Sequence, residues 1–96
     1  MPAYIIAMVN VKDAEKYQEY AKRAGPAGAK FGSRFLVRGG KKHTMEGDLP
    51  FERIVVNEFP DVETAKKFYN SVEYQEARKH RLGAADFNMI IVEGAA

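Results

Sequence analysis

The stretch from Phe35 to Pro60 limits the possible folds more than any other part of the sequence. Two short β-type runs, Phe35-Leu36-Val37-Arg38 and Arg53-Ile54-Val55-Val56-Asn57-Glu58-Phe59, flank a connector holding Gly39-Gly40 and Glu46-Gly47-Asp48-Leu49-Pro50. Branched and aromatic residues suit a pleated, half-buried surface, and the Gly-Gly and Gly-Asp pairs mark turns. The connector is long for a tight hairpin. Ionisable and amide side chains stand among the apolar residues of both runs. Charges in buried strands need partners, so Arg38, Asn57 and Glu58 are either satisfied by one another or await a ligand.

The flanking segments supply the other elements. Ala3–Val11 is dense in Ile, Val, Met and Tyr and reads as a strand with two apolar faces. Asp13 is a good N-cap, and Ala14, Tyr17, Ala21 and Ala24 follow at helical spacing. Pro26, within Gly25-Pro26-Ala27-Gly28, removes a backbone donor and predicts a kink or break there, with a further turn through Ala29-Lys30-Phe31 to a left-handed cap at Gly32. Ser33–Arg38 and Glu52–Phe59 are the second and third strands, and part of Lys41–Glu46 is an irregular extension of the second. Asp61 caps a second helix with Val62, Ala65, Phe68, Tyr69 and Val72 on its inner side. Asn70-Ser71 breaks it, a short helix runs from about Glu73 to Leu82, and Asp86–Glu93 is the fourth strand. Neither a solenoid repeat nor a low-complexity segment is visible.

With 96 residues, the chain has room for one core, so residues 1–96 are read as a single domain. The order strand, helix, strand, strand, helix, strand implies an α+β, ferredoxin-like βαββαβ plait: a four-stranded antiparallel sheet with helices on one face. Alternate residues of the first, third and fourth strands are apolar on both sides, for example Tyr4, Ile6 and Met8 against Ile5, Ala7 and Val9. Helices cover only one face, so the other exposes an apolar patch larger than monomers usually carry. Sheet-to-sheet packing of a two-fold homodimer is the simplest cover.

Read together, several residues give the chain a family resemblance. Tyr17 and Tyr20, Arg34-Phe35-Leu36-Val37-Arg38-Gly39-Gly40, Glu46-Gly47-Asp48 and Glu52-Arg53 carry the first half of it. Glu58-Phe59, Tyr69-Asn70-Ser71, Tyr74-Gln75, Arg81 and Val92-Glu93-Gly94 carry the rest. With these the chain resembles the bacterial family called domain of unknown function 1330, in the dimeric α/β-barrel group. The resemblance covers nearly the whole chain and implies the fold and a dimer. It implies no substrate, since the family has no settled activity. Ser33, Phe35 and Phe51 depart from the pattern, where glycine, tyrosine and proline are expected. The missing hydroxyl at Phe35 bears on any ligand contact there.

Candidate chemistry centres on Arg38. A guanidinium keeps its charge and can clamp a carboxylate or phosphate with two parallel bonds. The plain reading is a bridge to Glu58, Glu46 or Asp48. Arg34 and Arg53 read as structural, at edges or in the dimer seam. Neighbouring strand residues alternate, so only one of Asn57 and Glu58 faces a cleft between sheet and helices. Glu58 held among apolar neighbours is a candidate general base, and Asn57 can hold an enolate oxygen. Tyr17 reads as core, while Tyr20 and Tyr69 lie near the edges of their apolar stripes, where they can orient a ligand. The run Arg78-Lys79-His80-Arg81 reads as a solvated helix end, with His80 a proton shuttle if it turns inward and Arg81 a further ligand contact.

Other classes are weaker. His43 and His80 lack ligand-like spacing, and without cysteine there is no thiolate site, disulfide or thiol nucleophile, so no metal is expected. Gly39-Gly40 lacks the remainder of a phosphate loop, so no cofactor is expected. A net charge of +2 from scattered Lys and Arg, without aromatic and basic residues on the central strands, argues against nucleic acid. No apolar run reaches membrane-spanning length, and Met1-Pro2-Ala3-Tyr4 lacks a basic signal region, so a cytoplasmic location is expected and no membrane contact. Two functions remain: a cofactor-free site for a small anionic or polyketide-like metabolite, with Arg38 as clamp, or a non-catalytic binding or accessory module whose charged strand residues are structural pairs.

Overall fold

The computed structural model describes residues 1–95. Its elements are β1 (Ala3–Val11), α1 (Ala14–Lys30), β2 (Arg34–Arg38), β3 (Arg53–Phe59), α2 (Val62–Tyr69), α3 (Val72–Arg81) and β4 (Ala85–Glu93). The strands form one antiparallel sheet in the order β2-β3-β1-β4. The second helical segment is split because Ser71 serves both sides of the break: its Oγ donates to the Phe68 carbonyl (2.7 Å) and accepts from the Tyr74 amide (3.1 Å). The new helix turns Val72 outward, 75% exposed, rather than inward as the α2 stripe implied.

Helix α1 runs unbroken through Pro26. Pro26 costs the amide that would bond the Lys22 carbonyl. Both residues lie on the exposed side of α1, so that carbonyl is open to solvent rather than buried without a donor. The expected left-handed cap is present, with Gly32 at φ 76°. Lys41–Glu46 adds no strand. Instead the end of the connector is tied to β1 by Asn10, whose Nδ2 donates to the Pro50 carbonyl (2.6 Å) and whose Oδ1 accepts from the Glu52 amide (2.8 Å).

The core lies between sheet and helices. Ile5, Ala7 and Val9 of β1 pack with Phe59, Tyr17, Tyr20, Phe68, Tyr74 and Ala77. The shortest dimension of the molecule is 16 Å, room for one sheet and one helix layer only. The opposite sheet face, with Ile6, Met8, Ile54, Val56, Ile90 and Val92, is therefore uncovered, and Ile90 is 48% and Val92 41% exposed.

Candidate functional site

Register decides which polar side chains enter the space between sheet and helices. Asn57 pairs with the buried Ile5 and Arg53 with the buried Val9, so both point toward the helices. On β2, a regular strand would put Phe35 and Val37 on that side and Arg38 on the other. The register shifts between Phe35 and Val37, however, and Arg38 comes to lie beside Val55. The bulge thus turns Phe35 and Arg38 to the same face. The result is a cleft of about 60 Å³, lined by Arg38, Arg53 and Asn57 together with Tyr17, Tyr20, Phe35, Tyr74 and Phe87. Apolar residues of β1, β3 and β4, Phe68 of α2 and the small residues Ala21, Ala24 and Gly25 of α1 complete the wall.

The electrostatics are one-sided. The cleft is lined by two arginines and by no aspartate or glutamate. Among the described residues, neither Arg38 nor Arg53 has a carboxylate within salt-bridge distance. The expected bridge from Arg38 to Glu58, Glu46 or Asp48 does not form. Arg38 instead lays its guanidinium over the Phe35 ring, 4.0 Å from the centroid, and reaches α1 beside Gly25. Arg53, expected at an edge or seam, is in the cleft, packed against Gly39. Gly39 has φ 70°, and any Cβ there would collide with the Arg53 guanidinium. Arg53 Nε and Asn57 Oδ1 are buried without a hydrogen-bond partner among the described residues.

A layer of aromatic hydroxyls backs the cleft. Tyr20 and Tyr74 share a hydrogen bond between hydroxyls (3.0 Å), and Arg81 Nη2 donates to Tyr74 Oη at 3.5 Å. Burial pushes the Tyr20 hydroxyl far above its ordinary range, and Tyr74 adds to the effect. Burial also raises Tyr17, while the Arg53 guanidinium beside it pulls the other way. Both phenols therefore stay protonated and serve as hydrogen-bonding groups rather than bases. Arg81 is only 8% exposed. It stands behind the wall with its guanidinium 3.8 Å from the Phe87 ring and 5.5 Å from that of Tyr20.

The remaining candidates lie elsewhere. Glu58 points to the opposite sheet face, where it accepts from Arg34 Nη2 at 2.9 Å. Tyr69 is half-buried and packs against Tyr74 in a tilted pair, with ring centroids 5.4 Å apart, without lining the cleft. His80 is half-buried, away from the cleft, on the side of α3 near Glu19. The structure thus brings together Arg38, Asn57 and Tyr20, with Arg81 one layer behind, and separates Glu58, Tyr69 and His80 from them. Arg53 and Tyr17 are additions. The period of two was the available signal for Arg53, since residues 53, 55, 57 and 59 share a face. Among the described residues, no cluster of His, Asp or Glu has the makings of a metal site, and no helix is long and apolar enough to cross a membrane.

Known structures repeat this architecture. A protein of unknown function from Rhodopseudomonas palustris superposes with a TM-score of 0.79 at 23% identity, over 99% of this chain and 83% of that one. A dimeric ferredoxin-like protein of unknown function from a Jannaschia species gives 0.72 at 10% identity, over 98% and 100%. A cofactor-independent oxygenase from Streptomyces nogalater gives 0.63 at 8% identity, over 99% and 94%. At such identities the likeness establishes the fold, an α+β ferredoxin-like plait. No curated protein matches the chain. Residues 2–95 match the family described as domain of unknown function DUF1330, and the chain belongs to that family.

Proposed function

We propose that the cleft binds a small organic anion, held by Arg38 and Arg53. The observation that carries this reading is the pair of arginines lining a largely apolar cleft with no carboxylate among the described residues to neutralise them. An unneutralised cation beside low-dielectric walls attracts an anion strongly, and a guanidinium fork matches a carboxylate or phosphate. Arg38 is exposed at the β2 edge and forms the mouth, where Phe35 supports it. The volume of about 60 Å³ is several times what one water needs but well below that of a cavity holding benzene. The anionic head therefore enters, and any bulky remainder stays at the mouth.

The reading stops at binding. Glu58, the residue best suited to take a proton, is engaged by Arg34 on the other face, which favours a module that binds without general-base chemistry. Two copies of the chain are proposed to pack through their open sheet faces, as the exposed Ile90 and Val92 suggest. The proteins of this fold described as dimeric are consistent with it.

The test is thermal denaturation of wild type, Arg38→Ala and Arg53→Ala with acetate, propionate, butyrate and inorganic phosphate. A ligand at about 100 times its Kd adds about 2.7 kcal/mol, which shifts the midpoint of a domain this size by several degrees. The expected result is a shift in wild type that is lost in both variants. If none of these anions stabilises the wild type, the reading fails.

A further inference from the structure

The cleft holds one group that an anion alone leaves unsatisfied. Asn57 Oδ1 is buried, lines the same space as Arg38 and Arg53, and has no donor among the described residues. A buried amide oxygen without a partner is costly, and in a cleft the missing bond comes from whatever occupies it, a water or a ligand that displaces the water. Building on the anion-site reading above, we infer that the ligand is a short hydroxy acid: its carboxylate meets the arginines and its hydroxyl donates to Asn57 Oδ1.

The geometry limits how far apart the two ligand groups stand. Arg38 is level with Val55, and Val55 is two residues from Asn57 on β3. Two residues along a strand span about 7 Å between Cα positions. Both side chains enter the cleft from the same sheet face, and the arginine bends back over Phe35. Phe35 is itself the register partner of Asn57, so a guanidinium over that ring is carried toward the amide, and the inferred ligand is a carboxylate with a hydroxyl on the second or third carbon. The small volume also favours a chain of a few carbons over an aromatic acid. A hydroxyl satisfies the amide by either end, because it both donates and accepts. A simple carboxylate or phosphate monoanion bound wholly at the arginines leaves Oδ1 without a donor.

The experiment measures Kd by calorimetry for two matched pairs, lactate against propionate and 3-hydroxybutyrate against butyrate, on wild type and Asn57→Leu. In wild type, at least one hydroxy acid is expected to bind about tenfold tighter than its deoxy partner, the usual consequence of leaving a buried acceptor unpaired. In Asn57→Leu that ratio should fall to about one, whatever the affinity of the deoxy acids becomes. Equal affinities within both pairs on wild type overturn the hydroxy-acid inference and leave the anion site standing. A preference that survives in folded Asn57→Leu overturns it as well, by locating the hydroxyl elsewhere. No binding of any of the four acids removes both readings together. The wild-type comparison decides even if the variant does not fold.

Discussion

At the scale of single residues, the tyrosines behind the cleft have their hydroxyls paired, whereas Arg53 Nε and Asn57 Oδ1 at its lining lack a partner among the described residues. Tyr20 and Tyr74 are each buried, and each hydroxyl finds the other at 3.0 Å. Replacing Tyr20 with Phe leaves the Tyr74 hydroxyl with only the long contact to Arg81, so Tyr20→Phe should cost about 1 kcal/mol in urea unfolding near neutral pH. The same hydroxyl predicts an alkaline limit. A tyrosine in the unfolded chain ionises near pH 10, whereas burial raises Tyr20 well above that in the folded state. The folded form then holds a proton that the unfolded form gives up, so the stability from this group is whole below about pH 10 and is lost as pH rises further. Wild type should therefore lose stability above that pH, and Tyr20→Phe should lose it less steeply. Parallel slopes would mean that this hydroxyl titrates as freely in the folded protein as in the unfolded chain.

Elements show how much of the site was legible and what hid the remainder. The strands and two of the caps follow from composition: Asp13 and Asp61 each cap the helix that starts after them. The sequence leaves Asn70 and Ser71 open for the third helix, which Ser71 caps. Pro26 misleads, because the carbonyl it leaves without a donor lies on the solvent side of α1, which lowers the cost of keeping a proline inside the helix. An exposed proline still weakens the helix it sits in, and Pro26→Ala should stabilise the protein by about 1–3 kcal/mol, read as a higher urea midpoint with an unchanged slope. A loss of stability on that substitution would show that α1 requires the rigidity of the proline. The site was legible to a similar degree. Arg38 stands out in sequence because a charge closes an apolar strand, but its face depends on a bulge that the residues Phe35 to Val37 do not announce. Asn57 and Glu58 necessarily part to opposite faces, yet which one enters the cleft depends on register with β1, a long-range pairing. Once Asn57 is inside, strict alternation brings Arg53 in with it. Its packing against Gly39 then accounts for a glycine at a positive φ.

For the whole molecule, the two faces of the sheet hold separate roles. One carries the helices and the cleft; the other bears Ile6, Met8, Ile54, Val56, Ile90 and Val92, on which no other element of the described residues packs. A contiguous apolar face of that kind invites association, and a two-fold pairing buries the same patch on both partners. Light scattering at micromolar concentration should give twice the chain mass of 10.8 kDa. Ile90 lies on β4, at the edge of the sheet, and is half exposed in the single chain. Ile90→Asp therefore places a charge where the monomer can hydrate it and a dimer cannot, so the variant should fold and run at 10.8 kDa. A wild type of that single mass would overturn the pairing. Because the cleft opens between β2 and α1, on the other side of the sheet, monomeric Ile90→Asp should keep the acid-induced rise in midpoint that Arg38→Ala loses. If the variant loses both the dimer and the acid response, the second copy is required to hold the cleft in its binding shape.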